Sequence, residues 1–127
     1  MNYMIVDDAP TMRRIVINAL ASLGFNTVVE ATDGLEALSK LKSANPKIDF
    51  VITDWNMPNM NGLELIQEIR KDPAYKLLPI VLVTTRGEKK DIIEALKSGV
   101  DNYIVKPFSP AVLKEKLDAV KEKYGLK

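Results

Sequence analysis

The 127-residue chain contains no cysteine and no histidine. The first absence excludes disulfides, thiolate nucleophiles and cysteine-ligated zinc. The second excludes imidazole chemistry within the chain, so any histidine that a reaction needs must come from a partner. No apolar run approaches the roughly 20 residues required to span a bilayer, and the N-terminus lacks the basic, apolar and small-residue order of a signal peptide. A cytoplasmic protein without membrane insertion is therefore expected. An excess of charge is also missing, with 18 basic against 17 acidic side chains for a net +1. The mixed charges between Lys114 and Lys123 suit a solvated helix surface rather than a nucleic-acid face.

What is present is an ordinary globular composition, 46% hydrophobic and 28% charged, in a length that suits one domain over residues 1–127. The runs Tyr3-Met4-Ile5-Val6, Phe50-Val51-Ile52-Thr53, Ile80-Val81-Leu82-Val83 and Tyr103-Ile104-Val105 each read as a strand buried on both faces. A fifth strand is expected over Asn26 to Glu30. Between them lie helical patterns. The first has Pro10 near its start, apolar positions Met12, Val16, Ala19, Leu20 and Leu23, and Gly24 past its end. Asp33 with Glu36, and Asn61 with Glu64, resemble capping boxes opening the second and third helices. A fourth helix is expected from Glu88 to Lys97 with a stop at Gly99, and a fifth from Ser109, burying Leu113, Leu117, Val120 and Tyr124.

Strands alternating with helices imply an α/β fold with a parallel sheet. Right-handed crossovers that cover both faces require one reversal across the sheet. A flavodoxin-like (βα)5 doubly wound sheet of order 2-1-3-4-5 meets that requirement, with its ligand crevice between the first and third strands.

Five polar residues, Asp7, Asp8, Asp54, Thr84 and Lys106, stand where a strand run stops. Singly, each has a plain structural role: an aspartate pair that caps a helix, an aspartate in a turn, a threonine chosen as a β-former, a solvated lysine. Parallel strands would bring all five to one edge. Clustered carboxylates repel unless a cation joins them, and a hard ion such as Mg2+ prefers oxygen ligands of this kind. A carboxylate beside Mg2+ can attack a phosphoryl group, while Lys106 and the Thr84 hydroxyl can meet phosphoryl oxygens. The sequence leaves the Lys106–Pro107 bond open between cis and trans.

Asp7-Asp8, the segment Asp54-Trp55-Asn56-Met57-Pro58-Asn59-Met60-Asn61-Gly62, Val83-Thr84-Thr85 and Lys106-Pro107-Phe108 together resemble the receiver domain of two-component response regulators. The likeness covers essentially the whole chain and points to the single-domain chemotaxis members of that family. It implies that Asp54 accepts phosphate from a histidine kinase. It further implies Mg2+ held by Asp8, Asp54 and the Asn56 backbone carbonyl, with Asp7 acting through water. Thr84 and Tyr103 would form the switch, and Trp55 would be a partly exposed neighbour that reports on the site. Asn61 stands where the family usually has Asp, and Asn56, Thr85 and Arg86 occupy positions that tune dephosphorylation. Expected partners are a chemotaxis kinase, the flagellar motor switch protein and a possible phosphatase, with the chain itself monomeric. The output would be altered protein binding rather than enzymatic turnover.

Other roles for a lone receiver are a phosphorelay intermediate, a phosphate sink or a regulator outside motility. A Mg2+-dependent phosphatase of the haloacid dehalogenase type would need Asp-x-Asp, whereas Asp7 and Asp8 are adjacent. A flavin-binding module would need a Gly/Ser/Thr-rich first loop, and Asp7-Asp8-Ala9-Pro10 would repel the flavin phosphate.

Overall fold

In the computed structural model, which describes residues 1–44 and 47–126, the apolar runs form a five-stranded parallel sheet of order β2-β1-β3-β4-β5. Its strands are β1 (Tyr3–Val6), β2 (Val28–Ala31), β3 (Phe50–Thr53), β4 (Ile80–Thr84) and β5 (Asn102–Val105). The order is the one expected from the alternation of strand and helix. Helices α1 (Pro10–Ser22) and α5 (Pro110–Lys123) cover one face; α2 (Gly34–Ser43), α3 (Gly62–Lys71) and α4 (Lys89–Ser98) cover the other.

Because both faces are covered, alternate strand residues feed two cores. Tyr3, Ile5, Phe50, Ile52, Val81, Val83 and Ile104 pack with Val16, Leu20, Leu113 and Leu117. Met4, Val6, Val51, Ile80, Leu82 and Tyr103 pack with Leu41, Leu65, Ile66 and Ile69. Each fully buried aliphatic side chain contributes about 2 kcal/mol, and the central strands β1, β3 and β4 are buried at every position.

The edges depart from the sequence reading. β2 starts at Val28 rather than Asn26 and is only partly buried, because an edge strand is covered on fewer sides. Val105, expected to be buried, is 41% exposed at the end of the opposite edge strand. Thr84 is the last residue of β4 rather than the first of the following loop.

Helix boundaries follow local chemistry. Asn61 and Glu64 form the reciprocal capping box that opens α3. At α2 only half of the expected box forms: Asp33 accepts from the Glu36 amide, while the Glu36 carboxylate turns to Thr32 and Lys40 instead. The start of α4 lies one residue beyond its expected position, with Glu88 as an N-cap that makes no side-chain bond, and its end is at Gly99, whose φ of +107° suits glycine. A short 3-10 turn, Pro73–Tyr75, which the sequence reading did not include, links α3 to β4.

Candidate functional site: an acidic cleft at the carboxyl edge of the sheet

The backbone ladder continues one residue beyond three strand ends and positions the site. Asp7 N donates to Ala31 O at 3.1 Å, Asp54 N to Val6 O at 2.8 Å and Lys106 N to Thr84 O at 2.8 Å. Asp7, Asp54 and Lys106 are thus held by sheet hydrogen bonds although their side chains leave the sheet. Carboxylate oxygens of Asp7, Asp8 and Asp54 lie within 4.8 Å of one another, the one such acidic grouping among the described residues.

Each acid sits in a different environment. Asp7 is buried, accepting from Ala9 N at 2.9 Å and from Lys106 Nζ at 3.3 Å. Asp8 is exposed. Asp54 accepts from Trp55 N at 2.8 Å and lies 3.6 Å from Lys106 Nζ. Burial pushes the Asp54 carboxyl above its ordinary value; Lys106 pulls it back and Asp7 pushes it further up. One ammonium among three carboxylates leaves the cleft net negative. All the acidic donors are hard oxygens and Asp8 opens to solvent, so the residues fit a hard divalent cation such as Mg2+. The Lys106–Pro107 peptide, left open by the sequence, is cis.

Around the cleft, the Thr84 hydroxyl is fully buried and accepts from Arg86 N at 3.2 Å. Arg86 also donates to Asn56 Oδ1 at 2.9 Å and lays its guanidinium 4.3 Å from the Trp55 ring centroid. Thr85 is exposed on the loop after β4. Trp55 corrects an expectation: it is 3% exposed rather than partly exposed, because it packs into the core beneath α2 and α3 with Arg86 lying over its ring. Tyr103 is buried against the α2/α3/α4 face, and its hydroxyl has no hydrogen-bond partner among the described residues. Desolvation pushes that hydroxyl above its ordinary pKa, with Asp91 adding to the effect.

The site also contains a residue that sequence reading missed. Arg13 NH1 donates to the backbone carbonyl of Asp7 at 2.7 Å. One signal was available: position 13 lies on the α1 stripe shared by Val16 and Leu20, where a charge requires a partner.

Fold and cleft together define a receiver-type α/β domain with an acidic cleft, and the family model described as "Response regulator receiver domain" matches residues 3–118. The chain belongs to the receiver-domain family of two-component response regulators. It is 54% identical over 120 residues to chemotaxis protein CheY1 of Helicobacter pylori (strain ATCC 700392 / 26695), covering 94% of this chain and 96% of that one. Among solved structures, Vibrio cholerae CheY4 superimposes with a TM-score of 0.84 at 35% identity, over 94% of this chain and 97% of that chain. A Borrelia burgdorferi CheX-CheY complex with BeF3 and Mg aligns with a TM-score of 0.84 at 30% identity, over 98% and 89%. The protein is therefore a CheY-like response regulator, a signalling protein.

Proposed function

We propose that the protein is a Mg2+-dependent phosphoacceptor switch in chemotaxis, with Asp54 as the acceptor. An Asp54 carboxylate oxygen forms a bond to phosphorus as the bond from phosphorus to the imidazole nitrogen of a kinase phosphohistidine breaks, and that nitrogen keeps the electron pair. Asp8, Asp54 and the Asn56 carbonyl would hold Mg2+, with Asp7 acting through water, and the ion would supply charge compensation for the acids and the transferring group. Lys106 meets the phosphoryl oxygens and holds Asp54 in line. The observation that carries this reading is the Asp54 carboxylate standing within 4.8 Å of two further acids and 3.6 Å from Lys106.

The switch follows from the same contacts. When the Thr84 side chain moves so that its hydroxyl donates to the phosphoryl group, the Arg86 amide that donates to it at 3.2 Å either follows or loses that bond, and the loop before α4 moves with it. Tyr103, whose hydroxyl has no partner among the described residues, can repack without breaking a hydrogen bond seen there. The α4-β5-α5 face, which exposes Leu96, Val105 and Val112, then changes shape for a flagellar motor switch protein. Asn56, Thr85 and Arg86 occupy the positions that set the dephosphorylation rate, alone or with a phosphatase, with Arg86 bonded to Asn56 Oδ1. This reading places one receiver domain over residues 1–127, monomeric and in the cytoplasm.

Intact mass after incubation with acetyl phosphate, with Mg2+ or EDTA, tests the acceptor. A single Mg2+-dependent phosphoryl adduct, absent in Asp54→Asn, is expected; an adduct that persists in the variant places the acceptor elsewhere. Pull-down of the motor switch protein with and without beryllofluoride tests the output, and binding indifferent to the mimic would favour a relay, a phosphate sink or a regulator outside motility.

A further inference from the structure

The two loops that carry the acids are tied down by residues outside the cleft. Arg13 is largely buried, with 14% of its side chain exposed. Besides the 2.7 Å bond from NH1 to the Asp7 carbonyl, its Nε donates to Glu30 Oε1 at 3.0 Å. That carbonyl belongs to the Asp7–Asp8 peptide, so Arg13 orients the plane through which the chain enters Asp8. Glu30 is on β2, where its backbone carbonyl accepts from Lys40 Nζ at 2.6 Å, while its carboxylate is half exposed.

The loop after β3 is held in the same way. Asn59, three residues beyond Asn56, has a φ of +66°, a conformation costly for most side chains. Its Nδ2 donates to Asp33 Oδ2 at 2.8 Å, and the neighbouring Met60 carbonyl accepts from Gly34 N at 3.0 Å. Glu30 and Asp33 both come from β2 and the turn after it, a segment that contributes no residue to the cleft.

We propose that Arg13 is a positioning residue of the cation site: backed by Glu30, it presets the Asp7–Asp8 peptide, while the Asp33–Asn59 bond presets the loop of Asn56. The proposal rests on the Mg2+ reading of the acidic cleft. Charge and position act with opposite sign here. A guanidinium bonded to the Asp7 backbone carbonyl repels a cation that enters the cleft, so if charge were its whole effect, removing Arg13 would tighten Mg2+ binding. If Arg13 orders the peptide in advance, removing it weakens binding, because the ordering must then accompany binding. Partners that orient metal ligands carry about 10–100-fold in affinity.

Calorimetric Mg2+ titration of the metal-stripped protein distinguishes these outcomes, with circular dichroism melts to verify folding. Wild type binds Mg2+ and Asp8→Asn loses it. Arg13→Met is expected to bind about 10-fold more weakly. Arg13→Lys keeps the charge but lacks the rigid planar fork that meets the Asp7 carbonyl and Glu30 together, so it recovers only part of the loss. Asn59→Gly adopts positive φ freely and lacks only the tether, and it too is expected to weaken binding. Unchanged or tighter binding in Arg13→Met, or full recovery in Arg13→Lys, overturns the proposal. If Arg13→Met does not fold, unchanged binding in both Arg13→Lys and Asn59→Gly overturns it. Absence of Mg2+ binding in wild type overturns the cation reading of the cleft itself and this proposal with it.

Discussion

Lys106 Nζ and the Asp7 carboxylate lie 99 residues apart in the chain and 3.3 Å apart in space, with 11% and 5% of their side chains exposed. The pair exists because β1 and β5 are parallel and end on the same edge, with β3 and β4 between them. Lys106 is also 3.6 Å from Asp54, so one ammonium serves two acids.

That sharing predicts a split response to Lys106→Met. Loss of the ammonium removes a cation that competes with Mg2+, so Mg2+ binding tightens. The same loss removes charge stabilisation from the transferring phosphoryl group, and phosphorylation by acetyl phosphate slows by about 100-fold. Calorimetry and a mass time course read the two effects separately; equal weakening of both would mean that Lys106 acts only by holding the fold.

Asp54 predicts a pH-dependent stability. Its carboxyl is held above its ordinary value chiefly by burial, so ionisation is less favourable in the folded chain than in the unfolded one. The ionised group therefore costs stability at neutral pH, and the cost fades as pH falls below the folded value toward the unfolded value of about 4. Asp54→Asn in EDTA should melt above wild type at pH 7, with the gap narrowing in acid. Phosphoryl acceptance, which needs the carboxylate, should decline over the same fall in pH. Identical melting curves at pH 7 would contradict this account.

At Gly62 there is no room for a side chain. A Cβ there would overlap the Asp54 carbonyl oxygen and approach Trp55 Cα at 3.0 Å. Both are backbone atoms of the acceptor segment and cannot yield as a flexible side chain would. Gly62→Ala is expected to cost about 3 kcal/mol or more in urea unfolding and to slow phosphorylation of whatever remains folded.

Asn61 separates capping from family habit. Its side chain accepts from Glu64 N at 2.9 Å, and Glu64 returns the bond to Asn61 N at 3.1 Å. Asn61→Ala should lose about 1 kcal/mol. Asn61→Asp, the family's usual residue, caps equally and adds a favourable charge at the helix N-terminus, so stability should hold or rise by about 0.5 kcal/mol. Chemical denaturation of the two variants would decide it.

Arg86→Ala should uncover Trp55, whose ring lies 4.3 Å from the guanidinium. The expected signature is a red-shifted emission maximum with stability lower by about 1 kcal/mol. An unshifted spectrum would mean that the core side alone buries the indole.

Local chemistry made much of the fold legible. The runs at Phe50–Thr53 and Ile80–Thr84 are apolar at nearly every position because helices cover both their faces, and no other arrangement of so short a strand requires that. Caps at Asp33, Asn61 and Ser109 lie where side-chain oxygens can reach the first free amides. Reading failed where a competing contact intervenes. Glu36 deserted its capping box for Lys40 and Thr32, Trp55 entered the core with Arg86 from another loop over its ring, and the limits of β2 were blurred by half-exposure at the sheet edge.

The amino-acid order by itself determined which residues could do chemistry: three hard carboxylates, a hydroxyl and an ammonium, each next to a strand end, with no thiol or imidazole as an alternative. Periodicity and caps also determined the elements and, with the handedness of crossovers, their order in the sheet. Tertiary structure alone decided how those groups meet. That Lys106 divides itself between Asp7 and Asp54, that Arg13 reaches the Asp7 carbonyl from Glu30, and that Arg86 closes over Trp55 all depend on distances of a few ångströms between distant segments. Electrostatic and hydrogen-bond energies vary steeply over such distances, whereas spacing along the chain constrains them only loosely.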